Sequence, residues 1–483
     1  MHNILHFYNT NKKGLLFSVL LSLLYVLPII LANIYYIDDM GRIMHGYSWT
    51  TADGRIITSF IMRLLSLSPY IVINLYPYYT IVSAIILGIT GYLLCYLLGL
   101  EKTKSIKLTS LFLIINPFYL SNLVFKYDCL PMSLSICILV IPFFFVNRSS
   151  SLFILITLVC SYICFYLYQP SVTGLFVIGS FYMFQYCKQG KLKQVILFSS
   201  KLISATIGSF ILWKISIYLL GIDLWGRGQL SFINPEFFLI IKNQWLKLMD
   251  LIKSLSISYL IATSLFLILF IFAFIRFLKK LDIKKAIVAI VILFFLIVST
   301  FAINFVTENS PLPRTQTAYG FIFFIFASFF VELPKKFTKL YSLSFIFVIF
   351  YSFLLSSLFG QTLKNQEEYN QFIISQVSPH LLKKDNPQLH IIGNIGIAPR
   401  NKMMMQFYPI LKKFTPIYNN IDFVALHDFD KFDLISKEFG KTFNNRDLVI
   451  KNLYNYPIID SNKFYILRTK ENIFIVDFDK NYK

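Results

Sequence analysis

The feature that most constrains this chain is the repetition of long apolar runs along residues 14–359. A run of about 18 or more apolar residues is typical of a transmembrane helix. Of the 483 residues, 56% are hydrophobic and only 14% are charged, which excludes an ordinary soluble protein of this length. The sequence therefore predicts a mainly α, polytopic membrane protein.

The apolar runs predict a bundle of about 11 transmembrane helices. The first run is not a cleaved signal peptide, because it ends in bulky and charged residues without a small-residue cleavage site. The polar C-terminal region contains strand-like runs at Leu389–Ile392 and Asn472–Phe478. We therefore expect a membrane domain at 1–360 and a small α/β or α+β domain at 361–483. The predicted spans are 14–36, 70–99, 107–124, 131–147, 151–168, 171–187, 192–220, 254–277, 285–306, 317–333 and 338–359.

Lysines and arginines predict how the spans are oriented. One set of connections is short and contains seventeen of these residues, from Lys12 to Lys339, whereas the longer opposite set contains nine. Cytoplasmic loops of membrane proteins carry the excess of Lys and Arg. This bias predicts a cytoplasmic N-terminus, and an odd number of spans then puts residues 361–483 on the outer side.

Acidic residues show the reverse distribution. Within residues 1–360, eight of them fall in the predicted outer connections, and only Glu101, Asp282 and Glu332 fall inside. Acidic residues contribute little to topology, so this asymmetry needs another cause. A reaction centre on the outer face is one such cause.

Several function classes are excluded or disfavoured. The net charge of +21 is explained by the residues that flank membrane helices, and we predict no nucleic-acid partner. The six cysteines fit neither a disulfide framework nor a metal site. We find no HxxH, phosphate-loop or serine-nucleophile pattern. His380, His390 and His427 are expected to be ordinary surface or core residues.

The connection after the first span is the candidate reactive loop. Asp38 and Asp39 are adjacent, and in extended backbone their side chains would point to opposite sides, so they need not share one task. Arg42 and Arg55 provide planar cations that suit phosphate. Trp49 offers a surface for stacking on a sugar. The alternative is a polar loop with an aromatic belt and no catalytic role. Two adjacent acids beside a membrane carry a free-energy cost, which disfavours this alternative.

Three further polar clusters fall on the same predicted side. They lie on short turns, and each alone would fit a contact to lipid headgroups. Their common side favours one shared site. The clusters are Phe125–Asp128, which includes Tyr127; Tyr168–Pro170, which includes Gln169; and Pro311–Arg314.

These residues resemble a known family. The order Ile37-Asp38-Asp39-Met40-Gly41-Arg42, followed by Gly46, Trp49 and Gly54-Arg55, is similar to the N-terminal signature of serotype-specific O-antigen glucosyltransferases. Further similarities are Asn116-Pro117-Phe118, Tyr127-Asp128 with Pro131-Met132, Gln169, and Pro313-Arg314. The resemblance covers most of the membrane region and is weak over residues 361–483.

The resemblance implies a GT-C type fold in the bacterial inner membrane. It implies transfer of glucose from undecaprenyl-phosphate glucose to a lipid-linked O-antigen sugar in the periplasm. Membrane lipids and the proteins that make and flip the donor would then be partners. Because nucleotide sugars are absent outside the inner membrane, a lipid-linked donor also fits the lack of a nucleotide-binding motif.

We expect an inverting reaction. Asp38 or Asp39 would deprotonate the acceptor hydroxyl, and Arg42, Arg55 or Arg314 would stabilise the departing lipid phosphate. Trp49, Tyr127, Asp128 and Gln169 would bind the sugars. No cofactor is required, and a divalent cation on Asp38 and Asp39 is not favoured.

Two rival functions use the same lipids. A flippase or transporter of a lipid-linked sugar would be expected to place ionisable residues in the middle of its spans and to show repeated halves. An O-antigen polymerase or ligase would carry its functional arginines in large late loops. Charges that gather on one face, with no visible repeat, favour the transferase.

Overall fold

The computed structural model describes residues 2–50, 53–100, 106–224, 231, 234–308, 311–417, 422–436 and 446–480. Of these residues, 72% are helical, and they include one small sheet near the C-terminus. The prediction of a mainly α, polytopic membrane protein is therefore confirmed.

The helices follow the apolar runs. They are α1 (His2–Ala32), α2 (Asp38–His45), α3 (Ile56–Leu65), α4 (Tyr78–Leu97), α5 (Ile106–Thr109), α6 (Leu120–Leu123), α7 (Cys129–Val140), α8 (Ser150–Leu167), α9 (Gly174–Lys188), α10 (Leu192–Leu219), α11 (Phe237–Lys253), α12 (Ser256–Leu278), α13 (Ile283–Phe301), α14 (Ile303–Val306), α15 (Tyr319–Ser328), α16 (Thr338–Leu381), α17 (Lys402–Phe407), α18 (Ile410–Phe414) and α19 (Asp422–Asp430). A further helical stretch covers residues 446–451.

Among the described residues, seven helices are long and apolar enough to cross a membrane. The other four predicted spans are shorter or broken helices. The run at 107–124 is interrupted at Pro117, which cannot continue a helix; Asn116 accepts a hydrogen bond from the Phe118 backbone and starts a new turn. The predicted loop after α1 contains two short helices, α2 and α3.

The chain forms two compact units. The first comprises Met1–Ile30 with Ser48–Ser357, and the second comprises Leu31–Tyr47 with Leu358–Lys483. The second unit therefore contains α2 as well as the C-terminal region. The predicted domains at 1–360 and 361–483 stay a prediction.

The first unit is a bundle of packed helices. α8 packs on α10, α9 on α13, and α4 on α7. A phenylalanine cluster fills its interior: Phe112 stacks on Phe323, with ring centroids 5.1 Å apart. At the C-terminal end of α9, Lys188 pairs with Glu332 at 2.6 Å, and so does Lys280. The loop assignment places these three residues on one side, and the structure brings them together.

The second unit contains a four-stranded sheet. The strands are β1 (Gln388–Ile392), β2 (Ile458–Ser461), β3 (Ile466–Lys470) and β4 (Ile473–Asp477), in the order β1-β4-β3-β2. β1 is parallel to β4, and the other pairs are antiparallel. The last turns of α16 contribute Ile373, Val377 and Leu381 to the core of the unit. Strands lie at both predicted positions, which confirms the expected small C-terminal sheet.

The close approach of α4 to residue 110 gives a test of the first unit. A Cβ on Gly91 would lie 1.9 Å from the carbonyl oxygen of Ser110, which is backbone and cannot move aside alone. We expect Gly91→Ala to destabilise the protein by about 1–3 kcal/mol, because the two segments must separate. Thermal unfolding of the purified chain in detergent measures this.

The matched control is Gly208→Ala, within α10. A Cβ there would meet Leu158 Cδ1 at 3.6 Å, an ordinary contact, and alanine favours a helix interior by about 0.5–1 kcal/mol. We expect this variant to unfold at or above the native midpoint. Equal midpoints for the two variants would contradict the packing of α4.

Candidate active site

The predicted site residues divide between the two units. Trp49, Arg55, Tyr127, Asp128, Gln169 and Arg314 belong to the first unit, whereas Asp38, Asp39 and Arg42 belong to the second. Each group is described within its own unit.

Asp128 is the centre of the group in the first unit. Its side chain is only 5% exposed. The indole Nε1 of Trp49 donates to Asp128 Oδ1 at 2.7 Å, and the Arg55 guanidinium lies 3.2 Å from the same oxygen. Asp128 immediately precedes α7 and Arg55 immediately precedes α3, so two helix starts hold the pair. Burial with two donors keeps this carboxylate fixed.

Contacts to Arg55 extend the group to the late turn at residue 314. The Arg55 guanidinium lies 5.0 Å from the centroid of the Tyr168 ring, a cation–π contact. The Tyr168 hydroxyl donates to the backbone oxygen of Arg314 at 2.9 Å, and Asn122 Nδ2 donates to the same oxygen at 3.0 Å. The structure therefore brings together polar residues from four turns that the sequence analysis assigned to one side.

The predicted sugar-binding residues are mostly enclosed. Trp49 is 1% exposed and Tyr127 is 0% exposed, and both pack in one apolar cluster with Met62. Gln169 Nε2 donates to the backbone oxygen of Asp53 at 3.1 Å. A sugar could reach either aromatic ring only after neighbouring side chains move. The sugar-binding roles of these residues stay predictions.

An open groove of about 590 Å³ lies along α3 in the first unit. Its lining is largely apolar, with Phe60 and Leu67 strongly exposed. Arg63 also lines it and donates to Ser48 Oγ at 3.2 Å. Apolar walls with a cation beside them match the two parts of a lipid phosphate.

The acidic pair of the second unit starts a helix. Asp38 and Asp39 lie in the first turn of α2, and Arg42 and His45 lie in its last turn, as the helix dipole favours. Gly46 follows the helix, and its left-handed backbone is a common C-terminal cap. The expectation of extended backbone at the pair was therefore wrong.

The two acids have different surroundings. Asp39 is completely buried, and its Oδ2 accepts a hydrogen bond from the Tyr36 backbone at 3.3 Å. Asp38 is half-buried. Ile37, between Tyr36 and the pair, has φ +46°, a rare and strained conformation for a β-branched residue. The strain shows that the surrounding structure fixes the start of α2.

Arg42 is buried within the same unit. Its guanidinium lies 4.8 Å from the centroid of the Tyr47 ring, and the Tyr47 hydroxyl donates to the backbone oxygen of Asp38 at 3.1 Å. Asp38 and Arg42 of α2 and Tyr47 after it thus hold one another in place.

A second polar group in this unit was not predicted. His45 lies beside His427 and Asp430, two residues of α19. The two imidazole centroids are 5.7 Å apart. Burial, with a smaller contribution from His45, lowers the pKa of His427 to about 4, so this imidazole is neutral at pH 7.

Comparison with known protein families identifies the family to which the chain belongs. The family model described as Glucosyl transferase GtrII matches residues 27–332, well over half of the chain. The chain belongs to the GtrII glucosyl transferase family. The resemblance inferred from the sequence motifs is therefore confirmed.

One relative comes from Salmonella phage P22, an uncharacterised 55.3 kDa protein encoded in the region 5′ of gtrB. It is 24% identical over 166 residues, and the match spans 34% of each chain. No solved structure matches this chain. The chain thus combines a GtrII family match with seven described helices that are long and apolar enough to cross a membrane.

The GtrII match includes every predicted site residue, from Asp38 to Arg314. It leaves out His427 and Asp430, which follow residue 332. Sequence reasoning missed their proximity to His45 because no spacing rule links positions so distant in the chain. Sequence reasoning also counted Arg63 only as one of the nine basic residues in the outer connections. Its position one helical turn after Ser59 and Phe60 could have indicated an amphipathic face.

The hydrogen bond from Trp49 to Asp128 gives a stability test for this GtrII protein. Trp49→Phe removes the indole donor from a buried carboxylate, and hydrogen bonds to charged groups contribute about 1.5–3 kcal/mol. Trp213→Phe is the matched control, because Trp213 is also buried and its Nε1 has no hydrogen-bond partner among the described residues.

Thermal unfolding of both variants in detergent measures the difference. Both lose similar volume, so we expect Trp49→Phe to lower stability by about 1.5–3 kcal/mol more than Trp213→Phe. Equal losses would mean that the indole nitrogen does not hold Asp128.

Proposed function

We propose that this GtrII protein transfers glucose from undecaprenyl-phosphate glucose to a sugar of the O-antigen. The observation that carries the proposal is the family match over residues 27–332, which includes every residue given a role here. The polar group around Asp128 and the apolar groove along α3 support it, because the donor combines a charged phosphate with a long apolar chain.

The proposed reaction is a single displacement. A carboxylate takes the proton of the acceptor hydroxyl, and the hydroxyl oxygen forms a bond to the anomeric carbon of glucose. The bond from that carbon to the phosphate oxygen breaks, and its electron pair leaves with undecaprenyl phosphate. The anomeric configuration is inverted. No cofactor enters this sequence of bond changes.

Asp38 is the better candidate for the base. A base must reach the acceptor hydroxyl, and Asp38 is half-buried whereas Asp39 is enclosed and bonded to the Tyr36 backbone. Asp39 would fix the start of α2 and so position Asp38. Arg42 is held beside Tyr47 and stays a candidate for the phosphate.

Arg55 and Arg314 would bind the departing phosphate. Arg55 is oriented by Asp128 on one side and the Tyr168 ring on the other. Fixed cations stabilise charge that develops in the transition state without reorganising. Trp49 donates to Asp128, Gln169 donates to the Asp53 backbone, and Tyr127 packs with Trp49. Their contribution to sugar binding would therefore be to hold the residues that touch the donor.

We place the protein in the bacterial inner membrane, with its N-terminus in the cytoplasm and its C-terminal region in the periplasm. The distribution of lysine and arginine supports this orientation. Partners would be the lipid-linked acceptor and the membrane proteins that make and flip the donor.

The experiment is a transfer assay in membranes with labelled undecaprenyl-phosphate glucose and lipid-linked O-antigen. It compares the native chain with Asp38→Asn, Asp39→Asn and the control Asp385→Asn, an exposed acid of the same unit. Loss of a general base typically lowers the rate about 10²–10⁴-fold, and we expect that loss in Asp38→Asn at unchanged protein level. The control should keep the native rate.

Two outcomes would count against this account. Full activity in Asp38→Asn, with activity lost in Asp39→Asn, would move the base to Asp39. Movement of labelled lipid across vesicles by the native chain, without transfer, would support a flippase.

A further inference from the structure

We propose that His45, His427 and Asp430 bind one divalent transition-metal ion, with Zn²⁺ as the preferred ion. One ligand atom from each residue lies within 4.8 Å of the other two. All three residues belong to the second unit. The proposal concerns binding and does not depend on the transfer reaction.

The backbone arranges these side chains on facing helix surfaces. His427 and Asp430 are three residues apart on α19, so they share one face of that helix. His45 is the last residue of α2, which packs against α19. α19 thus supplies two ligands and α2 supplies one, an arrangement that metals commonly bridge in helical proteins.

The distances fit a site that closes on the ion. Zinc bonds to histidine nitrogen and carboxylate oxygen are about 2.0–2.2 Å long, so tetrahedral ligand atoms lie roughly 3.3 Å apart. The present separations need a modest contraction. His427 and Asp430 are buried, whereas His45 is exposed.

Gly41 is a second observation that points to this place. A Cβ at residue 41 would lie 2.9 Å from His427 Nε2, closer than side chains tolerate. Glycine at this position lets the imidazole lie directly on the surface of α2. Nε2 of His427 therefore lies close to α2, the helix that carries His45, so one metal ion can bind to residues of both helices.

The set of donors selects the class of metal. Two imidazoles and one carboxylate suit Zn²⁺ and its transition-metal neighbours, whereas Mg²⁺ and Ca²⁺ prefer oxygen ligands throughout. Three protein ligands leave a fourth position for water or another small ligand.

The bound ion would fix the end of α2. Asp38, Arg42 and His45 follow one another at helical spacings of four and three, so they share a face of this helix. A metal held by His45 would therefore restrain the helix that carries the acidic pair. Two of the three proposed ligands, His427 and Asp430, follow residue 332 and therefore lie outside the family match.

The test uses the full chain purified in detergent with a tag that contains no histidine, because a histidine tag would itself bind zinc. The protein is stripped with a chelator and dialysed against Zn²⁺. Elemental analysis then gives the metal content per chain, and competition with a chromophoric chelator gives the affinity. We expect one Zn²⁺ per native chain.

Variants decide which residues hold the ion. His45 is exposed, so His45→Ala should leave the fold intact and lower Zn²⁺ affinity roughly tenfold or more, as should Asp430→Asn. The matched control is His380→Ala, which removes a partly exposed histidine 3.5 Å from Asp460 in the same unit. It should bind like the native chain.

Thermal unfolding gives a second readout. Zn²⁺ should raise the midpoint of the native chain and of His380→Ala, but not that of His45→Ala. A native chain without stoichiometric zinc would overturn the proposal, and so would equal affinity in the native, His45→Ala and Asp430→Asn proteins. Both measurements are independent of glucose transfer, so their failure leaves the proposed reaction standing.

Discussion

A carboxylate that is almost completely buried must be paired, and Asp128 is paired with an indole N–H and a guanidinium through one oxygen. Buried ion pairs contribute little net stability, because desolvation offsets attraction, but they fix geometry. Here the pair orients Arg55, Arg55 lies on Tyr168, and Tyr168 bonds to the backbone of Arg314. Arg55 and Arg314, two of the cations proposed for the lipid phosphate, therefore depend on one acid.

This dependence explains why removing the partners of Asp128 should affect more than local stability. Arg55, whose side chain is 14% exposed, would lose its carboxylate partner, and its contact with Tyr168 would change as well. Fixed cations are useful in a transferase because they meet developing phosphate charge without reorganisation. This preorganisation requires that Arg55 is already paired with Asp128 before the donor binds.

Much of the fold could be predicted from hydropathy, since apolar runs in a membrane have few alternatives to helix. The runs at 389–392 and 472–478 gave strands as expected. The break at Pro117 and the short helices α2 and α3 were missed, because hydropathy averages over local turn chemistry. Asp128, Gln169 and Arg314 were chosen for sharing a predicted side, and the structure places them near one another through Arg55, Asp53 and Tyr168.

The second unit was the least predictable part. Grouping of Leu31–Tyr47 with the C-terminal region rests on contacts between residues hundreds of positions apart, such as the hydrogen bond from the Tyr36 hydroxyl to the Phe414 backbone. Nothing in the local pattern around His427 indicates a neighbour on α2. The acidic pair and the proposed metal ligands consequently share a unit that sequence periodicity could not define.

The measurement that tests the central claim most directly is the configuration of the transferred glucose. The purified native chain, in vesicles with undecaprenyl-phosphate glucose and lipid-linked O-antigen, would be followed by NMR of the anomeric proton in donor and product. A single displacement predicts that glucose appears on the acceptor with inverted configuration. Retained configuration, or no glucose on the acceptor, would contradict the account.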